Sequence, residues 1–153
     1  MTGPATLGSR LLPLAVLATF ALLLLHAHHY WFLTDDAYIS FRYARNLAQG
    51  HGLVFNPGGE RVEGYTNFLW VLLLAGLDRL GAAPESAAPI LGLLFTVVLW
   101  GLVAWYALRY SPAASHPWLA LVPLIFLAAT RSVAVWATSG LETRLFESLV
   151  VAG

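Results

Sequence analysis

The chain is 153 residues long, with eight acidic side chains, eight arginines, no lysine, 59% apolar positions and a mean hydropathy of +0.72. About a quarter of an ordinary soluble chain is charged, against 10% here, so the composition points to a membrane protein. A net charge of zero lacks the basic surplus that a nucleic-acid partner demands, and the absence of cysteine removes disulfide frameworks, thiolate zinc sites and cysteine nucleophiles.

Residues 11–34 and 86–108 carry no formal charge over 24 and 23 positions. At a rise of about 1.5 Å per residue either is long enough to cross roughly 30 Å of hydrocarbon. The pattern predicts spans over about 11–31 and 86–108, and a third over about 118–136 that runs through Arg131. Leu25-His26-Ala27-His28 offers no small-x-small cleavage site, so the first segment reads as an uncleaved helix rather than a signal peptide. The expected fold class is all-α, a polytopic membrane helical bundle with amphipathic helices in its first outer loop, 34–85.

Seven charges crowd into residues 35–63 of that loop: Asp35, Asp36, Arg42, Arg45, Glu60, Arg61 and Glu63. Thr34-Asp35-Asp36 precedes a helical pattern over 37–49 that Gly50 closes. Ala37, Phe41, Ala44, Leu47 and Ala48 share one face and Tyr38, Arg42, Arg45 and Asn46 the opposite one, which predicts an amphipathic helix on the membrane surface. Gly50, Gly52, Pro57, Gly58 and Gly59 then break the chain before Tyr65-Thr66-Asn67 opens a helix over about 67–80. Its uncharged stretch, 64–77, is 14 residues, short for a crossing, and ends in Asp78-Arg79.

If 67–80 does not cross, 11–31 runs outward, 86–108 returns, 118–136 goes out again, and a further helix starts over 142–153. A four-crossing alternative places Arg79 and Arg131 inside, which charge bias mildly favours, and puts Glu142 opposite the Asp35-Asp36 loop.

Several side chains are candidates for chemistry. Asp35 and Asp36 stand at a helix start, where capping and the macrodipole favour an acid, yet two adjacent acids beside an apolar span exceed what one cap needs. Arg42 and Arg45, three apart, suit a phosphate grip as well as a solvated face. His26, His28 and His29 look like metal ligands, but only His26 and His29 share a helix face, so interfacial histidines are the default. Glu60 and Glu63 read as solvated turn residues. Glu142 lies in an otherwise uncharged neighbourhood and is harder to dismiss, with Arg144 as a local partner.

Three ordered runs carry a resemblance: Asp35-Asp36-Ala37-Tyr38-Ile39-Ser40-Phe41-Arg42-Tyr43-Ala44-Arg45-Asn46-Leu47, then Gly50-His51-Gly52-Leu53-Val54-Phe55-Asn56-Pro57, then Glu60-Arg61-Val62-Glu63-Gly64-Tyr65-Thr66-Asn67-Phe68-Leu69-Trp70. Together with Ser139-Gly140-Leu141-Glu142-Thr143 they resemble the C-superfamily of polytopic membrane glycosyltransferases, and within it the family of the mycobacterial terminal arabinofuranosyltransferase. The Gly58-Gly59 pair is one residue longer than the usual turn. Such enzymes run to several hundred residues, so by this resemblance the chain corresponds to an N-terminal portion, ending inside a helix.

The resemblance implies a transferase that moves a sugar from a polyprenyl-phosphate donor to a cell-envelope glycan or lipid acceptor, at the extracytoplasmic face of the bacterial plasma membrane. It implies Asp35 as general base with Asp36 orienting or replacing it. It also implies Glu142 returning to the same site from a later outer loop, which requires the three-crossing arrangement. Arg42, Arg45, Glu63 and Tyr65 are further candidates for substrate binding. No cofactor is required by the pattern, although a divalent metal is compatible with it, and membrane lipids complete the expected partners. The competing class is a non-catalytic assembly or transport subunit whose outer loop is a docking surface.

In the three-crossing arrangement, a single cysteine at 82 should react with an impermeant reagent from outside and one at 115 should not. The reverse labelling pattern would exclude that arrangement.

Overall fold

The computed structural model describes residues 7–110 and 116–153; position 115 of the labelling experiment lies outside them. Helices make up the described chain in the order α1 (Leu7–His29), α2 (Ala37–Ala48), α3 (Phe68–Arg79), α4 (Pro84–Tyr110), a short 3-10 turn (Pro117–Ala120), α5 (Leu121–Ala129), α6 (Arg131–Trp136) and α7 (Thr143–Ala152). Among the described residues there is no strand.

Two segments, Leu11–His29 and Pro84–Tyr110, are long and apolar enough to cross a membrane. Leu14, Leu25 and Ile90 are 62%, 68% and 62% exposed on them, an arrangement that costs little against lipid and much against water. Val16 of α1, Ala104 of α4 and Leu124 of α5 form a small buried cluster, with Leu12, Trp100 and Leu121 against it. The indole N–H of Trp100 donates to Thr19 Oγ1 at 3.2 Å across the α1–α4 contact.

The larger core lies beyond the end of this bundle. Phe41, Tyr43 and Ala44 of α2, Trp70, Val71 and Leu74 of α3, Ala87 and Ala88 of α4 and Leu145 of α7 bury one another there. The apolar face of α2 is therefore spent on protein. Asn46, expected on the solvated face, is buried, because its amide donates to the carbonyls of Val54 and Phe55 at 2.7 and 2.9 Å and so satisfies the glycine-rich loop.

Glycines end α2 and α3 in the same way. Gly50 and Gly81 adopt φ of 85° and 92°, which lets the next amide turn back on the helix: His51 to the Asn46 carbonyl, Ala82 to that of Leu77. Arg79 at the end of α3 then donates to the carbonyls of Leu47 and Ala48, placing a cation on the negative end of α2.

The apolar stretch expected as one helix over 118–136 is broken. Thr130 has ψ of 113°, separating α5 from the six-residue α6. A carbonyl freed at such a break needs a donor, and His26 Nδ1 of α1 supplies one to Ala128 at 3.0 Å. His26 thus has a structural task, and among the described residues no three His, Asp or Glu side chains gather as a metal site. Replacing His26 by Leu would leave the Ala128 carbonyl unpaired in an apolar setting. We expect a loss of about 1–3 kcal/mol, read as earlier thermal unfolding of the protein in detergent.

Candidate functional site

The segment between α6 and α7 is the hinge of the site. Gly140 has φ of 88°, and a Cβ there would come 2.8 Å from that of Ala37 and 2.9 Å from Leu33 Cδ2, so only glycine fits between α2 and the preceding loop. Three donors hold the segment from outside. The Thr34 amide donates to the Ser139 carbonyl at 3.0 Å, the Phe32 amide to Thr138 Oγ1 at 3.4 Å, and the buried indole of Trp70 to the Gly140 carbonyl at 2.9 Å. These contacts set Leu141-Glu142 beside the Asp35-Asp36 loop.

A cleft opens between them, lined by Asp36, Ile39 and Ser40 of α2 and its entry, Gly64 to Asn67 ahead of α3, and Leu141 and Glu142 ahead of α7. Asn67 connects all three walls. Its Nδ2 donates to Glu142 Oε2 at 2.7 Å and lies 2.9 Å from Ser40 Oγ, which in turn lies 3.2 Å from Asn67 Oδ1. Because an ionised carboxylate only accepts, the contact with Glu142 fixes which end of the amide faces it.

Asp36, Asn67 and Glu142 occupy the N-cap positions of α2, α3 and α7, and none of the three side chains caps its own helix. Three positive helix ends therefore converge on one cleft whose acids point elsewhere than at the backbone. Asp35, one residue earlier and exposed, has its carboxylate held on one side: Oδ1 accepts from Thr34 Oγ1 at 3.1 Å and from the Asp36 amide at 3.0 Å.

A second trough shares Thr66, Asn67 and Glu142 with this cleft and continues between α3 and α7 along Phe68, Leu69, Leu145, Phe146 and Leu149. The polar cleft and the apolar trough thus meet at Asn67 and Glu142.

The other expected site residues fall in different places. Tyr65 lines the cleft, its ring edge-on to Tyr43 with centroids 4.8 Å apart. Glu63 is exposed and is not among the lining residues. Its neighbours are fixed by the Tyr43 hydroxyl, which donates to the Val62 carbonyl at 2.8 Å and accepts from the Gly64 amide at 3.0 Å.

Arg42 and Arg45 do not share an anion. Arg42 donates to the Phe55 carbonyl at 2.9 Å and to Asn56 Oδ1 at 3.0 Å, with its guanidinium 5.5 Å from the Phe55 ring centre, and so fastens the glycine-rich loop. Arg45 pairs with Glu85 of α4 at 2.8 Å. The pair is 42% and 31% exposed, so it is worth about 1 kcal/mol or less and acts as a register pin. A helical wheel reports shared faces, whereas the partners of these side chains come from residues 55, 56 and 85.

Two members of the site were not singled out by sequence: Ser40 and Asn67. Asn67 marked a helix start, and the signal that distinguishes it, a cap-position side chain with no cap to make, exists only in three dimensions.

The chain is 37% identical over 122 residues to the terminal β-(1→2)-arabinofuranosyltransferase of Mycobacterium tuberculosis, a match that covers 74% of this chain. It spans 19% of that protein's length. No family profile matches the chain, and no solved structure matches it. The chain is thus a partial homologue of a glycosyltransferase, and its helices are those of a membrane protein.

Trp70→Phe keeps most of the ring volume and removes the donor to Gly140. The expected cost is about 1–3 kcal/mol, from an unpaired buried carbonyl, measured as a lowered Tm.

Proposed function

We propose that the chain is the acidic-loop portion of a membrane glycosyltransferase that moves a sugar from a polyprenyl-phosphate donor to a hydroxyl of an extracytoplasmic glycan or lipid acceptor. The observation that carries this reading is the hydrogen bond from Asn67 to Glu142, which brings the first acidic loop and the later Ser139-Gly140-Leu141-Glu142 segment into one cleft. Asp36 and Glu142 line the same cleft, which supports a reading with three crossings and an active face outside the bacterial plasma membrane.

In this reading Asp35 is the general base. Two donors on Oδ1 fix the direction of its carboxylate while the residue stays exposed, which suits a group that must take a proton from an incoming hydroxyl. The acceptor oxygen attacks the anomeric carbon, the bond to the carrier phosphate breaks, and Asp35 holds the acceptor proton. Asp36 orients Asp35 through its backbone amide and, with Glu142 and Tyr65, lines the space for the sugar. The apolar trough along α3 and α7 suits the lipid end of an amphipathic donor. Arg42 is assigned to holding the glycine-rich loop and Arg45 to pinning α2 on α4, in place of the phosphate role considered from sequence, because each guanidinium already has a protein partner.

In membranes carrying the intact protein and a labelled polyprenyl-phosphoryl arabinofuranose, Asp35→Asn should lower transfer by about two to four orders of magnitude, the span typical of a positioned base. Asp36→Asn should be milder. Full transfer by the Asp35→Asn, Asp36→Asn double variant would refute the assignment.

A further inference from the structure

We propose that Asn67 is a positioning residue that presents Glu142 to a hydroxyl of the transferred sugar, making the pair a recognition element for the donor. The inference rests on the reading of the cleft given above. A carboxylate has two oxygens, and Asn67 occupies one of Glu142's, Oε2, at 2.7 Å. Among the described residues Oε1 has no protein partner and is left for a donor group from a ligand. Sugar hydroxyls are such donors, and a bond to an ionised acceptor is about twice as strong as one between neutral groups.

Two features assign the pair to the donor rather than the acceptor. Glu142 and Asn67 stand where the polar cleft joins the apolar trough, as the junction between sugar and lipid chain would require. Asp35, which handles the acceptor proton, belongs to the loop on the other side of Asp36. Asn67 itself is held by Ser40, which is buried on α2, so the amide is fixed from two directions. A side chain kept only to cap α3 would instead bond its own first turn, and Asn67 makes no such bond.

The test is a double-mutant cycle on the intact protein in membranes, with labelled polyprenyl-phosphoryl arabinofuranose as donor. Asn67→Ala and Glu142→Gln should each raise the donor KM about tenfold and leave kcat within about threefold, the pattern of a lost binding contact. The double variant should be no worse than the worse single one, since both remove the same interaction. Asn67→Asp, which keeps the shape but turns a carboxylate toward Glu142, should raise the donor KM at least as much as Ala, and it carries the test if the Ala variant does not fold. KM penalties that multiply in the double variant, a wild-type donor KM in Asn67→Asp, or an effect confined to the acceptor KM would overturn the proposal. Asp35→Asn separates the two levels. If the unaltered protein transfers no sugar, or Asp35→Asn transfers as well as it does, the reading of the cleft falls and the inference with it. If Asp35→Asn is inactive while the two penalties multiply, the inference alone falls.

Discussion

The hydrogen bond from the Trp70 indole to the Gly140 carbonyl is the constraint on which the cleft end of the molecule turns. Trp70 is 1% exposed, so the bond lies where water cannot replace it, and breaking it strands a carbonyl in a nonpolar surrounding. That carbonyl belongs to a residue that must be glycine, wedged against Ala37 and Leu33. Any shift of the indole therefore moves the segment at Gly140, and with it Glu142. The core that buries Trp70 draws on α2, α3, α4 and α7 together, so packing far from the cleft decides how its walls meet.

Around the cleft, the arginines serve architecture. Arg42, Arg45 and Arg79 are all spent on carbonyls, an amide oxygen or a carboxylate that fix loops and helix ends. No arginine is left among the residues that line the cleft. Its carboxylates are balanced instead by backbone dipoles at three helix starts, which are permanent and cannot swing away as a side chain does.

Much of the helical layout was legible in the sequence because its signals are local. Gly50 and Gly81 follow apolar periodic stretches and end α2 and α3, and the Asp35-Asp36 and Tyr65-Thr66-Asn67 runs stand at helix starts. The break at Thr130 was not legible. Ala128-Ala129-Thr130-Arg131 contains neither proline nor glycine, and the helix yields there while His26 of another helix receives the carbonyl it exposes. Partners of the arginines were equally hidden, since spacing along α2 gives a direction and says nothing of what waits there. Asn67 illustrates the limit most sharply: the carboxylate it donates to lies 75 positions away.

The three helix starts around the cleft also impose an order on the making of the protein. Asp36 and Asn67 emerge early from the ribosome, while the third wall is completed only when Glu142 and the first turn of α7 follow. Until then the Trp70 indole lacks its acceptor and the Asn67 side chain has Ser40 alone as a partner. The cleft is thus closed by one short segment, 139–142, that joins walls built from residues synthesised before it.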